Sequence, residues 1–275
     1  MIYNKPIKPH FPQDAFRGTA PYYARYRVPY PRALLQDLVR RAGVTGQGRL
    51  LDLACGPGRV AFALVGAFRE IWAIDLEPEM VEVGKEEAAR RGVGHIKWMV
   101  GKAEELTAPP AWFELVAIGE AFHRLDQQIV SEQTLRWLKP RHCLAVIGNS
   151  GLASDWGPWQ RVVAQIVHKW TGHAVSTGGV STARVPGSGP DAVEQVLRET
   201  GFEEIGSYGF VEGYEWTVEM IIGNLYSLSV CSKRVLGSNA DAFEADLKAA
   251  LLADDPGGLY HEEMCFGYTL GRKPA

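Results

Sequence analysis

The stretch Arg49-Leu50-Leu51-Asp52-Leu53-Ala54-Cys55-Gly56-Pro57-Gly58 joins a short apolar run to a glycine-rich turn. A short apolar run predicts a buried strand, and glycine permits the positive φ angles and close backbone approach that a ligand-binding turn needs. Residues 60–67 continue with apolar spacing that predicts a buried helix. The order strand, glycine turn, helix is typical of the first unit of an α/β sheet that binds a nucleotide-like ligand. We therefore expect a ligand site at the carboxyl end of this strand.

Strand and helix patterns alternate from about residue 49 to residue 150. Helices are predicted between the strands, for example over 79–91 and 132–138. The further predicted strands are 70–76, 96–100, 113–119, 142–148, 204–211 and 260–270. Such alternation predicts a parallel sheet covered on both faces, and right-handed crossovers make it doubly wound. The fold class predicted is α/β, with a seven-stranded and mostly parallel sheet.

The remaining segments suggest a division of the chain. Residues 1–31 are rich in proline, aromatic residues and arginine, and we expect an N-terminal arm or lid. Residues 32–150 form the ligand-binding core, and residues 151–190, with a Gly/Ser/Pro-rich part, form a cap insertion. Residues 191–275 complete the core and carry further cap helices at about 217–253.

Composition and charge restrict the kinds of molecule that the protein is expected to bind. The formal net charge is -3, which disfavours nucleic acid and anionic membranes. No apolar run is long enough to span a bilayer, and residues 1–10 lack the apolar core of a signal peptide. The four cysteines are widely spaced, so neither a zinc site nor a disulfide framework is expected. These observations predict a cytoplasmic protein that binds small molecules and no metal.

Two ligand classes fit the glycine turn. Residues 56–61 match the dinucleotide fingerprint, whose last position tolerates alanine. Asp52, however, would repel a pyrophosphate and suits a ligand that carries an ammonium and a sulfonium group. Pro57 also removes a backbone donor that a phosphate would use. Asp75, at the end of the second predicted strand, can accept hydrogen bonds from ribose hydroxyls in either case, or else cap a helix.

Several of these segments resemble the motifs of class I S-adenosylmethionine (SAM)-dependent methyltransferases. Residues 52–58 are similar to the first motif of that family, and residues 101–106 and 119–126 are similar to the loops after its third and fourth strands. Lys102 departs from the acid commonly found in the first of these loops. The resemblance implies SAM as cofactor, S-adenosylhomocysteine as product, and a cofactor site made by Asp52, Ala54, Gly56, Gly58, Asp75, Leu76, Met80, Ala103, Glu104 and Gly119.

The aromatic and arginine-rich arm at residues 16–31 resembles that of a subset of small-molecule methyltransferases. In those relatives a tyrosine or arginine of the arm approaches the methionine end of the cofactor, which implies such a role for Tyr22 and Arg27. The alternative is a packed lid without contact to the cofactor. More narrowly, the chain resembles actinobacterial natural-product enzymes, including lincosamide N-methyltransferases.

Methyl transfer requires an acceptor atom about 3 Å from the methyl carbon, opposite the sulfur, and no nucleophile from the enzyme. His123 follows the fourth predicted strand and is the candidate catalytic residue. It could remove the proton of a hydroxyl acceptor, orient an amine acceptor, or simply hydrogen-bond within its loop. His168 and His173 have no third ligand nearby and are expected to be surface residues.

Aromatic side chains could form the acceptor site, since small-molecule pockets are mostly apolar. The alternative for each is packing within the core or the cap. The candidates are Phe122, Trp156, Trp159, Trp170 and Tyr226.

The leading hypothesis is a SAM-dependent methyltransferase that methylates an N or O atom of a small molecule, such as an antibiotic intermediate. The alternatives are an NAD(P)-dependent oxidoreductase and a SAM-binding protein without turnover. A nucleic-acid methyltransferase is disfavoured by the missing basic stripe, and residues 119–122 stand where many such enzymes have an Asn/Asp-Pro-Pro-aromatic run. A homo-oligomer is left open.

Overall fold

The computed structural model describes Pro12 and residues 14–151, 157–173 and 192–275. Seven strands form one sheet in the order β3-β2-β1-β4-β5-β7-β6, and only β7 runs antiparallel to its neighbours. This confirms the predicted α/β class and the mostly parallel, seven-stranded sheet. The strands are β1 Arg49–Leu53, β2 Glu70–Asp75, β3 Ile96–Val100, β4 Phe113–Gly119, β5 Leu138–Gly151, β6 Glu203–Thr217 and β7 Leu259–Arg272.

Helices cover both faces of the sheet. They are α1 Ala20–Tyr26, α2 Arg32–Ala42, α3 Arg59–Ala63, α4 Pro78–Arg90, α5 Gln127–Trp137, α6 Pro158–Thr171, α7 Ala192–Thr200, α8 Val218–Tyr226, α9 Lys233–Leu236 and α10 Ala240–Asp254. Two hydrophobic clusters result, one on each face. The first unites α2 with α6, α8 and α10, and the second unites α5 with α7. The central strand β4 is buried on both faces, which explains its mostly apolar sequence.

Strands β6 and β7 extend further than the sequence pattern indicates. The pairing of β5 with β7 ends at Gly151 opposite Met264, but β6 and β7 stay paired to Thr217 opposite Leu259. The extension is held by aromatic packing, because Trp159 of α6 lies 5.5 Å from Tyr260, between ring centroids. The two strands thus form a ribbon, residues 212–217 and 259–264, beyond the carboxyl edge of the parallel strands.

The arm is tied to the core where the structure describes it. The Arg59 side chain, at the start of α3, donates to the Val28 carbonyl. Tyr26 Oη donates to Glu219 of α8 over 2.9 Å, so α1 lies against α8. The predicted division of the chain into arm, core and cap remains a prediction. Within the described ranges, every helix is too short or too polar to cross a membrane.

Candidate functional site

The turn after β1 has an unusual backbone conformation. Ala54, Gly56 and Gly58 have φ angles of 51°, 55° and 89°. Gly58 also lies against an aromatic ring, since a Cβ atom there would come within 2.5 Å of the Trp98 side chain. Any larger residue at position 58 would therefore push the turn away from β3. The glycine pattern of the sequence thus has a steric cause in addition to its conformational one.

Asp75, at the end of β2, bonds this turn to the next helix. Its Oδ2 accepts from the Gly56 N–H over 2.7 Å, and its Oδ1 accepts from the Glu77 N–H over 2.9 Å. Burial raises the pKa of this carboxyl, while the backbone donors of Glu77 and Gly56 oppose that change. Each carboxylate oxygen retains a lone pair for a further donor. The site can therefore accept two neighbouring hydroxyl groups, as a ribose would offer.

Asp52 lies beneath the turn and is fully buried. Its Oδ2 accepts from the Ala61 N–H over 2.9 Å, so it caps the first turn of α3. Burial raises the pKa of Asp52 to about 8, with a further contribution from the charge of Asp75. The structure does not place Asp52 in the cavity wall. The Oδ1 atom of Asp52 has no hydrogen-bond partner among the described residues. The expected contact of the carboxylate with the ligand remains a prediction.

A cavity of about 410 Å³ opens at the carboxyl ends of β1, β2 and β4. This volume lies in the range of small-molecule sites. The structure brings together most of the residues implied for the cofactor, but Asp52 and Gly58 do not line the cavity. The predicted residues that do line it are Ala54, Gly56, Asp75, Leu76, Met80, Ala103, Glu104 and Gly119.

The arm contributes a different tyrosine from the one expected. Tyr22 packs on Tyr226 of α8, with ring centroids 5.2 Å apart, and faces away from the cavity. Tyr23 instead lines the cavity, and it is the side chain that a Cβ atom on Gly56 would meet, at 3.7 Å. One residue turns a helix by about 100°, and the sequence pattern did not fix the rotation of α1. Arg27 lies in the wall of a second cavity.

The second cavity, of about 220 Å³, adjoins the first. The two share wall residues from the arm and from the segment after β4, namely Phe16, Tyr23, Glu120 and Arg124. Its other walls come from α6, α8 and the β6–β7 ribbon. Two cavities that meet at one boundary are what a group transfer between two bound molecules requires.

The predicted aromatic residues are distributed unevenly. Trp159 lines the second cavity. Phe122 is buried in the hydrophobic cluster of α5 and α7. Trp170 Nε1 donates to Asp246 of α10, which joins two cap helices. Tyr226 is buried and donates to Glu244. Trp156 lies outside the described residues.

Glu120 is a site residue that the sequence reasoning did not single out. It lines both cavities and has a φ angle of 58°, which is uncommon for a residue with a side chain. The backbone N–H of Asn149 donates to its carboxylate, and its Oε1 is shielded from solvent without a partner among the described residues. Burial raises the pKa of Glu120 to about 6, against the opposing charges of Arg59 and Arg27. The signal available in the sequence was a single acid at the end of a buried strand.

This raised pKa makes stability depend on pH. Between the usual carboxyl pKa of 4.5 and about 6, the unfolded chain releases the proton while the folded protein retains it, so stability falls as pH rises. We expect the parent protein to lose about 2 kcal/mol of unfolding free energy across this window relative to Glu120→Gln. Denaturant unfolding of both proteins from about pH 4.5 to 8 measures this difference in unfolding free energy. Glu86→Gln, which removes a charge from an exposed residue of α4, is the control. Superimposable pH profiles for parent and Glu120→Gln would contradict the expectation.

His123 lines the second cavity, next to Arg124. Burial lowers the pKa of His123, and the charge of Arg124 lowers it further. The imidazole is therefore neutral at neutral pH, the form that can accept a proton.

The central part of the chain matches a known family. Residues 50–141 match the family model described as "Methyltransferase domain". This segment is a methyltransferase domain. The match covers the glycine turn, Asp75 and the segment after β4, and it confirms the resemblance to class I SAM-dependent methyltransferases.

The first curated relatives each match less than half of this chain. An uncharacterized RNA methyltransferase of Halalkalibacterium halodurans is 30% identical over 135 residues, which are 46% of this chain and 28% of that protein. Demethylmenaquinone methyltransferase of Geobacillus kaustophilus is 33% identical over 109 residues, 38% of this chain and 47% of that protein. The chain thus spans less than half the length of these relatives. Nocamycin O-methyltransferase of Saccharothrix syringae is 28% identical over 261 residues, 90% of this chain and 92% of that protein.

Solved structures share the fold. Phosphoethanolamine N-methyltransferase 2 of Haemonchus contortus, in complex with S-adenosylhomocysteine, superimposes with a TM-score of 0.53 and 16% identity, covering 96% of this chain and 58% of that one. The [4+2]-cyclase SpnF superimposes with a TM-score of 0.54 and 18% identity, covering 90% and 85%. A cyclase and a methyltransferase thus share this architecture, so the fold alone does not determine the reaction.

The first cavity fits SAM, the cofactor of the family. Asp75 has two carboxylate oxygens that could accept the ribose hydroxyls, and Leu76 and Met80 in the cavity wall could pack against the adenine. Two cations, Arg124 and Lys102, also line the cavity, and Lys102 is paired with Glu105 over 2.8 Å. The acids that line it are more numerous, namely Asp75, Glu77, Glu104 and Glu120. This excess of carboxylates suits a ligand that carries an ammonium and a sulfonium group, and it disfavours a pyrophosphate.

Proposed function

We propose that this protein transfers the methyl group of SAM to an oxygen atom of a small molecule bound in the second cavity. The observation that carries the proposal is the shared boundary of the two cavities at Tyr23, Glu120 and Arg124. A cofactor in the first cavity and an acceptor in the second would meet at this boundary. The reaction is an in-line displacement, so the acceptor oxygen must approach the methyl carbon from the side opposite sulfur.

Asp75, Leu76 and Met80 would hold the nucleoside, and the backbone of the glycine turn would face the methionine part. When bound, SAM supplies an activated methyl group on a sulfonium. Tyr23 and Phe16 of the arm cover the boundary, with ring centroids 6.2 Å apart, and they exclude water from the place of transfer. Exclusion of water prevents hydrolysis and strengthens the electrostatic effect of nearby charges.

His123 would accept the proton of the acceptor hydroxyl. A neutral alcohol is a weak nucleophile, and a base within hydrogen-bond reach activates it during attack. The lowered pKa of His123 keeps the base unprotonated at neutral pH. An oxygen acceptor is further supported by the similarity to Nocamycin O-methyltransferase along most of both chains.

A small acceptor is supported by the walls of the second cavity. Phe16, Trp159, Trp216 and several aliphatic side chains surround a volume of about 220 Å³. A nucleic acid would need an open, basic surface, and the net charge of -3 disfavours such a partner. We therefore propose a small natural product as the class of acceptor.

Replacement of His123 by alanine is expected to lower kcat by about 10² to 10⁴ for a hydroxyl acceptor, because the base is lost. The parent kcat should rise with pH through the His123 pKa and then level, and this rise should be absent in His123→Ala. Affinity for S-adenosylhomocysteine should be unchanged, as His123 does not line the first cavity. Activity within a few-fold of the parent at every pH would eliminate His123 as the base.

The function itself is tested in two steps. Calorimetry with S-adenosylhomocysteine and with NAD is expected to give binding of the first ligand only. Labelled SAM is then incubated with a set of hydroxylated natural products, with amines, and with total tRNA, and methyl incorporation is counted. We expect incorporation into a hydroxylated compound. Binding of NAD without S-adenosylhomocysteine, or methylation of tRNA alone, would overturn the proposal.

A further inference from the structure

The second cavity is long, and its far end has a chemistry of its own. Its near end lies at Glu120 and Asn149, and Asn149 pairs with Phe266 of β7. Its far end is lined by Glu262, four residues further along the same strand. At about 3.3 Å per residue, Glu262 lies about 13 Å beyond the level of Asn149. Glu262 is thus too distant from the near end of the cavity to touch the reacting atoms.

Glu262 is fixed in position by two donors. Trp216 Nε1 donates to Glu262 Oε2 over 2.8 Å, and the Gln160 side chain of α6 also hydrogen-bonds to the carboxylate. A carboxylate can accept about four hydrogen bonds, so capacity remains for a ligand. Burial raises the pKa of Glu262, which means that its negative charge is incompletely solvated. A cation placed beside it would relieve this cost.

Two tryptophans stand beside this carboxylate. Trp159 and Trp216 both line the cavity, with ring centroids 6.4 Å apart. Tyr260 supports Trp159 at 5.5 Å, and Tyr214 supports Trp216 at 4.9 Å. These supporting contacts fix both indoles. Indole rings together with a carboxylate are the groups that bind ammonium ions in proteins.

Among the residues that the structure describes, no lysine or arginine lines the far end of the cavity. Strand β6 contains no lysine or arginine. In β7 the first such residue is Arg272, at the opposite end of the strand from the ribbon. His261 is exposed and lies 3.6 Å from Glu215, and Arg161 of α6 is exposed beside Gln160. Neither of these two side chains lines the cavity.

We propose that Glu262, Trp159 and Trp216 form a subsite for an ammonium group of the acceptor, remote from the methylated atom. This inference rests on the proposed function, since it assigns one end of the same acceptor cavity. The acceptor is then an elongated small molecule with a hydroxyl near His123 and a basic nitrogen at the far end of the cavity. The subsite determines which acceptor binds and takes no part in the chemical step.

The test uses the full chain saturated with S-adenosylhomocysteine and two soluble probes of similar shape, phenethylammonium and 2-phenylethanol. Binding of each is measured by ligand-observed NMR. We expect phenethylammonium to bind about tenfold more tightly than the alcohol, and Glu262→Gln to remove that difference. Glu263→Gln, which removes the same charge from the next, exposed residue of β7, should leave it intact. Trp159→Leu should weaken the binding of phenethylammonium. This variant replaces Glu262→Gln in the test if Glu262→Gln does not fold.

Each outcome decides one claim. Equal affinity for the two probes, or equal effects of Glu262→Gln and Glu263→Gln, would overturn the subsite. Failure of S-adenosylhomocysteine to bind the parent protein would instead overturn the proposed function. Once an acceptor is known, Glu262→Gln should raise its KM about tenfold and leave kcat within twofold, because Glu262 is far from the methyl group.

Discussion

Asp75→Asn is expected to weaken the binding of S-adenosylhomocysteine by about a hundredfold or more. Two hydrogen bonds from ribose hydroxyls to a charged carboxylate contribute about 1.5–3 kcal/mol each, and tenfold in affinity corresponds to about 1.4 kcal/mol. An amide offers one oxygen in place of two. Calorimetry at one pH and salt concentration measures the change.

The protein contacts of Asp75 make this loss larger. Both oxygens already accept backbone N–H groups, from Gly56 and from Glu77. The amide nitrogen of an asparagine would face one of these donors with a donor of its own. Either the glycine turn or the start of α4 would then move, and both belong to the cavity wall.

Asp241→Asn provides the matched control, because Asp241 is an exposed residue in the first turn of α10 and far from the cavity. It should bind S-adenosylhomocysteine as the parent does. An affinity of Asp75→Asn within threefold of the parent would contradict the assignment of Asp75 to the ribose.

The sequence predicted the sheet well because its signals are local. Buried strands such as β1 and β4 are mostly apolar, with one buried acid each, Asp52 and Glu114, and the glycine turn has its own residue pattern. The paired extension of β6 and β7 was not predicted, since it depends on contacts between Trp159, Trp216 and Tyr260, which are distant in the chain. Such contacts leave no periodic pattern.

The site was predicted less completely, and for the same reason. Ala54, Gly56 and Asp75 follow strand ends, and the topology alone brings them to one edge of the sheet. The role of Asp52 depended on which way its side chain turns, and the structure directs it to the Ala61 N–H. The choice between Tyr22 and Tyr23 depended on the rotation of α1, which is set by its packing against α8.

Gly58→Ala is expected to lower the unfolding free energy by about 3 kcal/mol and the Tm by about 6–12 °C. A residue with a Cβ at positive φ costs about 1–2 kcal/mol, and forced contacts in a packed core cost about 1–3 kcal/mol. The new Cβ would lie 2.5 Å from Trp98 and 3.1 Å from Phe62. Trp98 cannot withdraw freely, because the same ring packs against Gly84 of α4.

Three alanine variants separate these causes. A Cβ at Gly94 meets open space, and Gly94→Ala should have little effect. Gly92 has a φ angle of 68° in open space, so Gly92→Ala measures the backbone cost alone. Gly84 has an ordinary φ and a Cβ position 2.5 Å from Trp98, so Gly84→Ala measures the collision, offset by the about 1 kcal/mol that alanine gains over glycine inside a helix. After that gain is added back, the Gly58→Ala effect should approach the sum of the last two, and a Tm within about 2 °C of Gly94→Ala would refute the steric account.

The alanine variants of Gly58 and Gly84 are also expected to differ in their affinity for S-adenosylhomocysteine. Gly58 belongs to the turn whose Gly56 N–H is bonded to Asp75, two residues away. A displaced turn would lengthen that bond and tilt the carboxylate that the ribose needs. Gly84 lies in α4 and does not line the cavity. Gly58→Ala should therefore lose both stability and affinity for S-adenosylhomocysteine, whereas Gly84→Ala, whose collision reaches the turn only through the Trp98 ring, should lose less affinity when measured well below its Tm.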